Sequence, residues 1–565
     1  MTSLPVRTLL WLVLALLLAV PAVQAQDASV FPLPADLYIL TSEHRVLRID
    51  AVTGGQTPVS PEGQPVATFD LAPGGAWYAY RTLDNHAVIV GALNNMSGFV
   101  VEFDQPLPPG DTAQGIAWSP DAARLAYTVP QGVRIADLST YGIDPFTVSE
   151  VQGGPWIDLY WADAGTLIAL SADASSTRIS GGPGAWRAEP NPEPPARRLP
   201  VEATLDPEGV RLADGRVVPG TAGTLAFAWG PLPLPSLPAG VLPADLAFLA
   251  PDVSGITQVW VLPANGAPAQ AVTNSPQPVL DYAVAAGRVA TVTADTLAVG
   301  SLDGGAAQTL ATLITGRVRP SVAFNADASR VAFSDQRGLW IVPSDGSEPP
   351  RQVIANVLDD QNVIAIRVYM RPQWSADETR LLVTIGLYEG SYPGVVDLAD
   401  GSVTELPGSV AGEAQWTVDG RVASTSASFG YSTPGLYLLD PATPDAAPVT
   451  LLGTDHPVFD AMQAPDGTWY VVVGSNAGMG PQWMRLLSGS APGAFAPLFG
   501  EAGAVLDAPE LAPTAGAAPR LVGGLRNTTY TPDGIEGELV VADLSSGEVW
   551  VAPAPAPARA PGWVR

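Results

Sequence analysis

Trp118-Ser119-Pro120-Asp121, followed by Ala122-Ala123 and the apolar run Arg124–Val129, is a phrase that this chain repeats. It returns as Phe324-Asn325-Ala326-Asp327, Trp374-Ser375-Ala376-Asp377 and Trp416-Thr417-Val418-Asp419, and more loosely as Ala464-Pro465-Asp466. Each copy closes a short apolar stretch with an aromatic. A small residue and a turn-forming Asp follow, and an alternating strand leads out. A third-strand phrase recurs more widely still, from Leu47-Arg48-Ile49-Asp50 through Leu339-Trp340-Ile341-Val342 to Leu539-Val540-Val541-Ala542-Asp543. Self-similarity at a spacing of about 40–50 residues, built from short strands, predicts an all-β chain of four-stranded β-propeller blades.

The phrases add up to roughly ten or eleven blade-like units, more than the 4–8 blades of an ordinary ring. Two tandem propellers are therefore expected, the alternative being one large ring with insertions. The least blade-like stretch is 187–240, with Asn191-Pro192-Glu193-Pro194-Pro195 and the cluster Pro231–Pro238. Proline denies ladder hydrogen bonds, so these segments read as linkers or long surface loops. The division is placed near residue 240, giving repeats over 26–240 and 241–551. The Ala/Pro-rich tail 552–565 is expected to be extended and mobile. Leu37–Ile49 carries strand patterning without an aromatic-Asp opening of its own. It is expected to complete a blade begun at the other terminus, which would leave no open sheet edge.

Residues 1–25 have the build of a secretory signal peptide: Arg7, the apolar run Leu9–Val20, and Val23-Gln24-Ala25 at the cleavage position. An uncleaved anchor is the alternative. The remaining chain has no cysteine, so its stability rests on strand pairing and core burial. The 565 residues carry 55 acidic and 27 basic side chains, for a net charge of −28, and every basic residue is Arg. Such a charge argues against nucleic acid and anionic membrane surfaces as partners. Export to the periplasm or the cell exterior of a bacterium is the expected location.

Ile116-Ala117-Trp118-Ser119-Pro120-Asp121 with Arg124-Leu125-Ala126-Tyr127, and Pro372-Gln373-Trp374-Ser375-Ala376-Asp377 with Arg380-Leu381-Leu382-Val383, resemble the repeat of TolB-like, or WD40-like (PD40), β-propellers. The pattern departs at the turn, where Gly follows Asp only at Gly420 and Gly467, and in looser register at Gly534. The resemblance implies an envelope or extracellular propeller that binds another protein. A separate α/β domain, which TolB itself carries before its propeller, is not expected between the signal-like segment and the first β repeats.

The chemistry-bearing residues point away from catalysis. Asp121, Asp327, Asp377, Asp419 and Asp466 occur once per repeat beside Trp118, Phe324, Trp374 and Trp416, where a hairpin needs a turn former, so they read as structural. His44, His86 and His456 are scattered and lack metal-ligand spacing, so no metal or other cofactor is expected. Gly474-Ser475-Asn476-Ala477-Gly478 places its Ser one position too early for a nucleophile elbow. The off-repeat acids Asp158, Asp281, Glu389 and Asp460 leave open a carbohydrate-active propeller with a carboxylate pair in its funnel. Tyr388, Tyr392 and Tyr431 sit in Gly-rich loop stretches of neighbouring blades. They are the candidate partner-binding residues, unless they pack over their own blades. The expected function is a non-enzymatic protein-interaction platform at the cell envelope.

Overall fold

The structure, a computed structural model, describes residues 31–564 except 74–76, 85, 93–97, 104–114, 139–146, 183, 198, 317, 360–361, 389, 407–412, 427–433, 454–456, 475–483, 491–493, 499–506, 514–519, 532–533 and 556. Among the described residues the chain is all-β, with one 3-10 turn at Val363–Ala365. Its strands form antiparallel sheets, most of them four-stranded and consecutive in sequence, as propeller blades are.

Strand pairing closes two circles. In the first, Leu37–Leu40 pairs with Ala226–Trp229, so an internal strand completes the opening half blade. The partner expected from the far terminus is therefore replaced by one at the end of the same circle. Four four-stranded sheets and the two-stranded Ala203–Asp206/Gly209–Leu212 make up this circle. In the second, Leu246–Pro251 pairs with Ala558–Trp563. Both strands belong to an eight-stranded sheet that joins the last blade to the first, and five four-stranded sheets lie between them in sequence. The Ala/Pro tail is thus no mobile appendage. Ala558 and Trp563 are buried, and the Trp563 indole donates to the Glu510 carbonyl at 2.8 Å. The physical reason is the edge: a ring whose last strand was missing would leave the ladder of Leu246–Pro251 open.

The Pro-rich segment between the circles is also held. The Leu237 amide donates to the Val551 carbonyl at 2.8 Å, and the Val551 amide to the Pro235 carbonyl at 2.9 Å. Pro235 thus contributes an acceptor, which needs no amide of its own. One apolar cluster holds Val88, Trp118 and Leu125 of the first circle together with Leu436, Val458 and Val471 of the second.

The repeated phrase locks blade to blade. The indole Nε1 of Trp161 donates to the Ala117 carbonyl at 3.2 Å, that of Trp374 to Ala323 at 3.2 Å and that of Trp416 to Gln373 at 3.1 Å. Each acceptor is the residue just before the aromatic of the preceding blade, so the bond staples each of these three pairs of consecutive blades. Trp374→Phe keeps most of the ring volume but deletes the donor that reaches the Ala323 carbonyl. It is expected to cost about 1–2 kcal/mol, read from chemical denaturation with the slope unchanged.

The turn after each aromatic is built around its carboxylate. Oδ1 of Asp121, Asp327 and Asp377 accepts from the side chains of Ser119, Asn325 and Ser375 and from the amides of Ala123, Ser329 and Thr379. Asp419 takes the Thr417 hydroxyl, and Asp466 the Thr468 amide. The next position is left-handed whatever residue fills it: φ is 54° at Ala122, 55° at Ala328 and 57° at Glu378, against 81° at Gly420 and 88° at Gly467. The turn tolerates these non-glycine residues because the strain, about 1–2 kcal/mol each, is offset by the carboxylate's bonds.

Candidate functional site

A blade has two ends, and the strand order says which residues share one. In the blade Ser321–Ala355, the Asp turn 325–329 and the turn 344–350 lie at one end. The tight turn Gln336-Arg337 and the connection 356–367 to the next blade lie at the other. The aromatic-Asp turns therefore all face one way, and the inter-blade connections the opposite way.

Tyr388 lies in the two-residue turn between Arg380–Leu387 and Gly390–Asp397, at the connection end, and is 62% exposed. Ile314, Val357, Leu358 and Ile364 are exposed at the same end of this and the preceding blade, Ile364 at 83%. The segments are tied together: the Gln336 amide donates to the Ile314 carbonyl at 2.9 Å, and Val357 and Arg367 form an isolated bridge. Tyr392 differs from its neighbour. It is half-buried against its own blade and its hydroxyl is bonded to Glu405, which raises it to about 12 through burial and that carboxylate. Tyr431 and Glu389 lie outside the described residues, as do His456 and Ser475.

Arginines sit among these apolar side chains, each beside an acid. Arg337 pairs with Asp335 at 2.5 Å and Arg367 with Glu405 at 3.6 Å, while Arg371 contacts Glu413. Arg371 stands near the start of an innermost strand, in a register shift between Met370 and Gln373, with φ at 51°. Its side chain is 60% exposed, so the Arg371–Glu413 pair meets solvent at the mouth of the ring. Asp281 and Asp460, near the starts of other innermost strands, act on Arg371 electrostatically and help hold its guanidinium charged, behind Glu413. Asp281 accepts the Val322 amide of the next blade at 3.0 Å. Burial pushes it up to about 6 against that hydrogen bond.

The first ring repeats this arrangement. Asp70 accepts the Trp118 amide of the next blade at 2.8 Å and is raised to about 6 by burial. Asp158, also raised by burial, lies 3.5 Å from Arg197, which follows the Asn191–Pro195 cluster in sequence. That cluster, expected to be a linker or surface loop, brings a counter-charge to two inner-strand acids. Among the described residues no group of three or more His, Cys, Asp or Glu is placed to hold a metal ion. His44 is held by its Nδ1 against the Val66 carbonyl at 3.0 Å.

Sequence reasoning named Tyr388 and the off-repeat acids Asp158, Asp281 and Asp460. It did not name Ile364, Arg371 or Arg197. The signal for Ile364 was the long inter-blade connection 356–367, which carries apolar residues where loops are ordinarily polar.

No family model matches this chain, and no curated protein matches it in sequence. Among solved structures it is similar to TolB from Acinetobacter baumannii, at 15% identity and a TM-score of 0.35, over 57% of this chain and 67% of that one. It is similar to the tricorn protease at 9% identity and a TM-score of 0.32, over 92% of this chain and 58% of that one. Oligogalacturonate lyase, solved in complex with manganese, matches at 12% identity and a TM-score of 0.26, over 82% of this chain and 97% of that one. Among the described residues no helix is long and apolar enough to cross a membrane. No activity, substrate or partner is carried over from these comparisons.

Proposed function

We propose that this protein is an exported, non-enzymatic interaction platform of the bacterial envelope, which docks another protein on the connection end of its second ring. The observation that carries this reading is the gathering of Ile314, Val357, Leu358, Ile364 and Tyr388 at one end of two adjacent blades. Tyr and Arg set among aliphatic side chains are the chemistry of interface hot spots. In a chain of net charge −28, the ion-paired arginines also make this end locally balanced, so a partner approaches it with little repulsion.

The test is capture from an envelope extract by immobilised residues 27–565. A saturable protein partner is expected, with its dissociation constant raised about 100-fold by Tyr388→Ala combined with Ile364→Asp. Unchanged affinity in that double variant, or recovery of polysaccharide alone, would overturn the reading. The second reading, a glycan-active funnel, draws on Asp281 and Asp460, which both act electrostatically on Arg371. It requires turnover of a glycan that Asp281→Asn abolishes.

A further inference from the structure

At the opposite end of the second ring, two grooves between successive Asp turns can be compared residue by residue. The turn hydrogen bonds set the alignment: Glu378 amide to Ser375 carbonyl in one blade, Gly467 amide to Ala464 carbonyl in another. Glu378 and Gly467 are therefore equivalent, and so are Trp374 and Gln463. In the preceding blades Arg330 and Arg421 are equivalent, since their carbonyls close the same turn onto the Asn325 and Thr417 amides.

The first groove is full. Arg330 lies 4.6 Å from the Trp374 ring and 2.6 Å from the Glu378 carboxylate. Glu378 Oε2 also accepts the Asn325 side-chain amide at 2.9 Å, and its Oε1 accepts the Ala326 amide at 3.2 Å.

The second groove lacks both fillers. Gln463 stands in place of the indole, and its Oε1 takes over one task of the missing glutamate by accepting the Val418 amide at 3.0 Å. Gly467 stands in place of Glu378, and a Cβ built on it meets nothing within 4 Å. What remains is a cavity of about 190 Å³ lined by Thr417, Asp419, Arg421, Gln463, Trp469 and Ser490. A cavity of about 150 Å³ is enough to admit benzene. Arg421 directs Nε and Nη2 at Asp419 Oδ2, at 2.9 and 2.6 Å, which leaves Nη1 uncommitted among the described residues. The Gln463 side-chain nitrogen is likewise uncommitted there.

We propose that this cavity binds a carboxylate with a flat apolar body, the carboxylate standing where Glu378 stands and the flat body where Trp374 stands. The donors that greet it are Arg421 Nη1 and the Gln463 amide. Trp469, Leu438 and Leu451 supply apolar wall. The carboxylate can belong to a free aromatic acid or to an acidic side chain of a peptide.

Benzoate is the first probe, with benzamide as its neutral control and a short Glu-containing peptide as the second arm, titrated by calorimetry against residues 27–565. Saturable benzoate binding is expected, weakened about tenfold or more by Arg421→Met and by Gly467→Glu, which rebuilds the filled groove. Gly467→Glu reproduces a residue already seated at the left-handed Glu378. Arg421→Met does not touch the turn backbone, so it tests the site even where the first variant folds poorly. Tighter binding of the peptide than of benzoate assigns the carboxylate to a protein side chain, and the reverse assigns it to a small acid. Benzamide binding as well as benzoate, no saturation by either probe up to about 10 mM, or benzoate binding unchanged in both variants would overturn the proposal. Tyr388 and Ile364 lie at the other end of the blades, so this result is independent of the docking test.

Discussion

Removal of residues 558–565 is expected to abolish the cooperative unfolding of the second ring while leaving that of the first. The deleted strand supplies the inner neighbour of Leu246–Pro251, whose residues Leu246, Ala247, Phe248, Leu249 and Ala250 are all buried. Without it, a row of amides and carbonyls and an apolar face open to water together, and such an edge invites pairing with another chain. Trp563→Ala is the milder version. It empties a buried site and removes the indole's bond to the Glu510 carbonyl, for an expected loss of about 3–5 kcal/mol. Calorimetry separates the outcomes: the truncated chain should keep one transition and lose the other. Two intact transitions at unchanged temperatures would show that Ala558–Trp563 does not close the ring.

Between pH 4 and pH 7.5 the melting temperature is expected to fall, not rise. Asp70 and Asp281 titrate at about 6 in the folded chain, against roughly 3.9 in an unfolded one. A raised folded value means that the native state holds the proton more tightly. The associated stability is fully present below pH 4 and is lost as pH rises through 6. At about 1.4 kcal/mol per unit, each carboxyl contributes at most about 3 kcal/mol to this slope. Asp377 and Asp419 run the other way. Hydrogen bonds from Ser375 and Thr379 hold Asp377 down to about 2, and those from Arg421 and Thr417 do the same for Asp419. Their contribution is lost only as pH falls through 2. The stability maximum is therefore expected near pH 4–5. Replacing Asp70 and Asp281 with Asn leaves an oxygen to accept the Trp118 and Val322 amides, and should flatten the decline toward neutral pH. A wild-type melting temperature that climbs steadily from pH 4 to pH 7.5 would refute this account.

The blades were legible because their determinants are local. Trp374, Ser375 and Asp377 act within one turn and on the blade immediately before, so a short phrase carries the whole instruction. Ring closure was not legible in the same way. Ala558–Trp563 follows an alternation of Ala and Pro that masks it, and only the vacant edge of a strand some 300 residues earlier makes it a strand. The Pro-rich stretches misled for a related reason: Pro235 offers a carbonyl to Val551, and acceptors do not show in a pattern of missing amides. Tyr388 could be picked out from its loop, but its separation from Tyr392 turns on Glu405, which lies on the next strand and holds only one of the two rings. Arg371 carried no sequence signal. Its left-handed backbone follows from a register slip that depends on Ser321 of the neighbouring blade, whose hydroxyl accepts its amide at 2.8 Å.

The two closures differ in how long they must wait. The Arg559 guanidinium meets the Thr257 hydroxyl across a separation of 302 positions. At ribosomal speeds of about 5–20 residues per second, the first strand of that ring stays unpaired on one side for roughly 15–60 s after it emerges. Leu37–Leu40 meets its own closing partner earlier, at Ala226–Trp229, before most of the second ring has been made. The nascent chain thus carries a finished ring ahead of an unfinished one, and the sticky intermediate that a holdase chaperone would recognise is the edge of Leu246–Pro251.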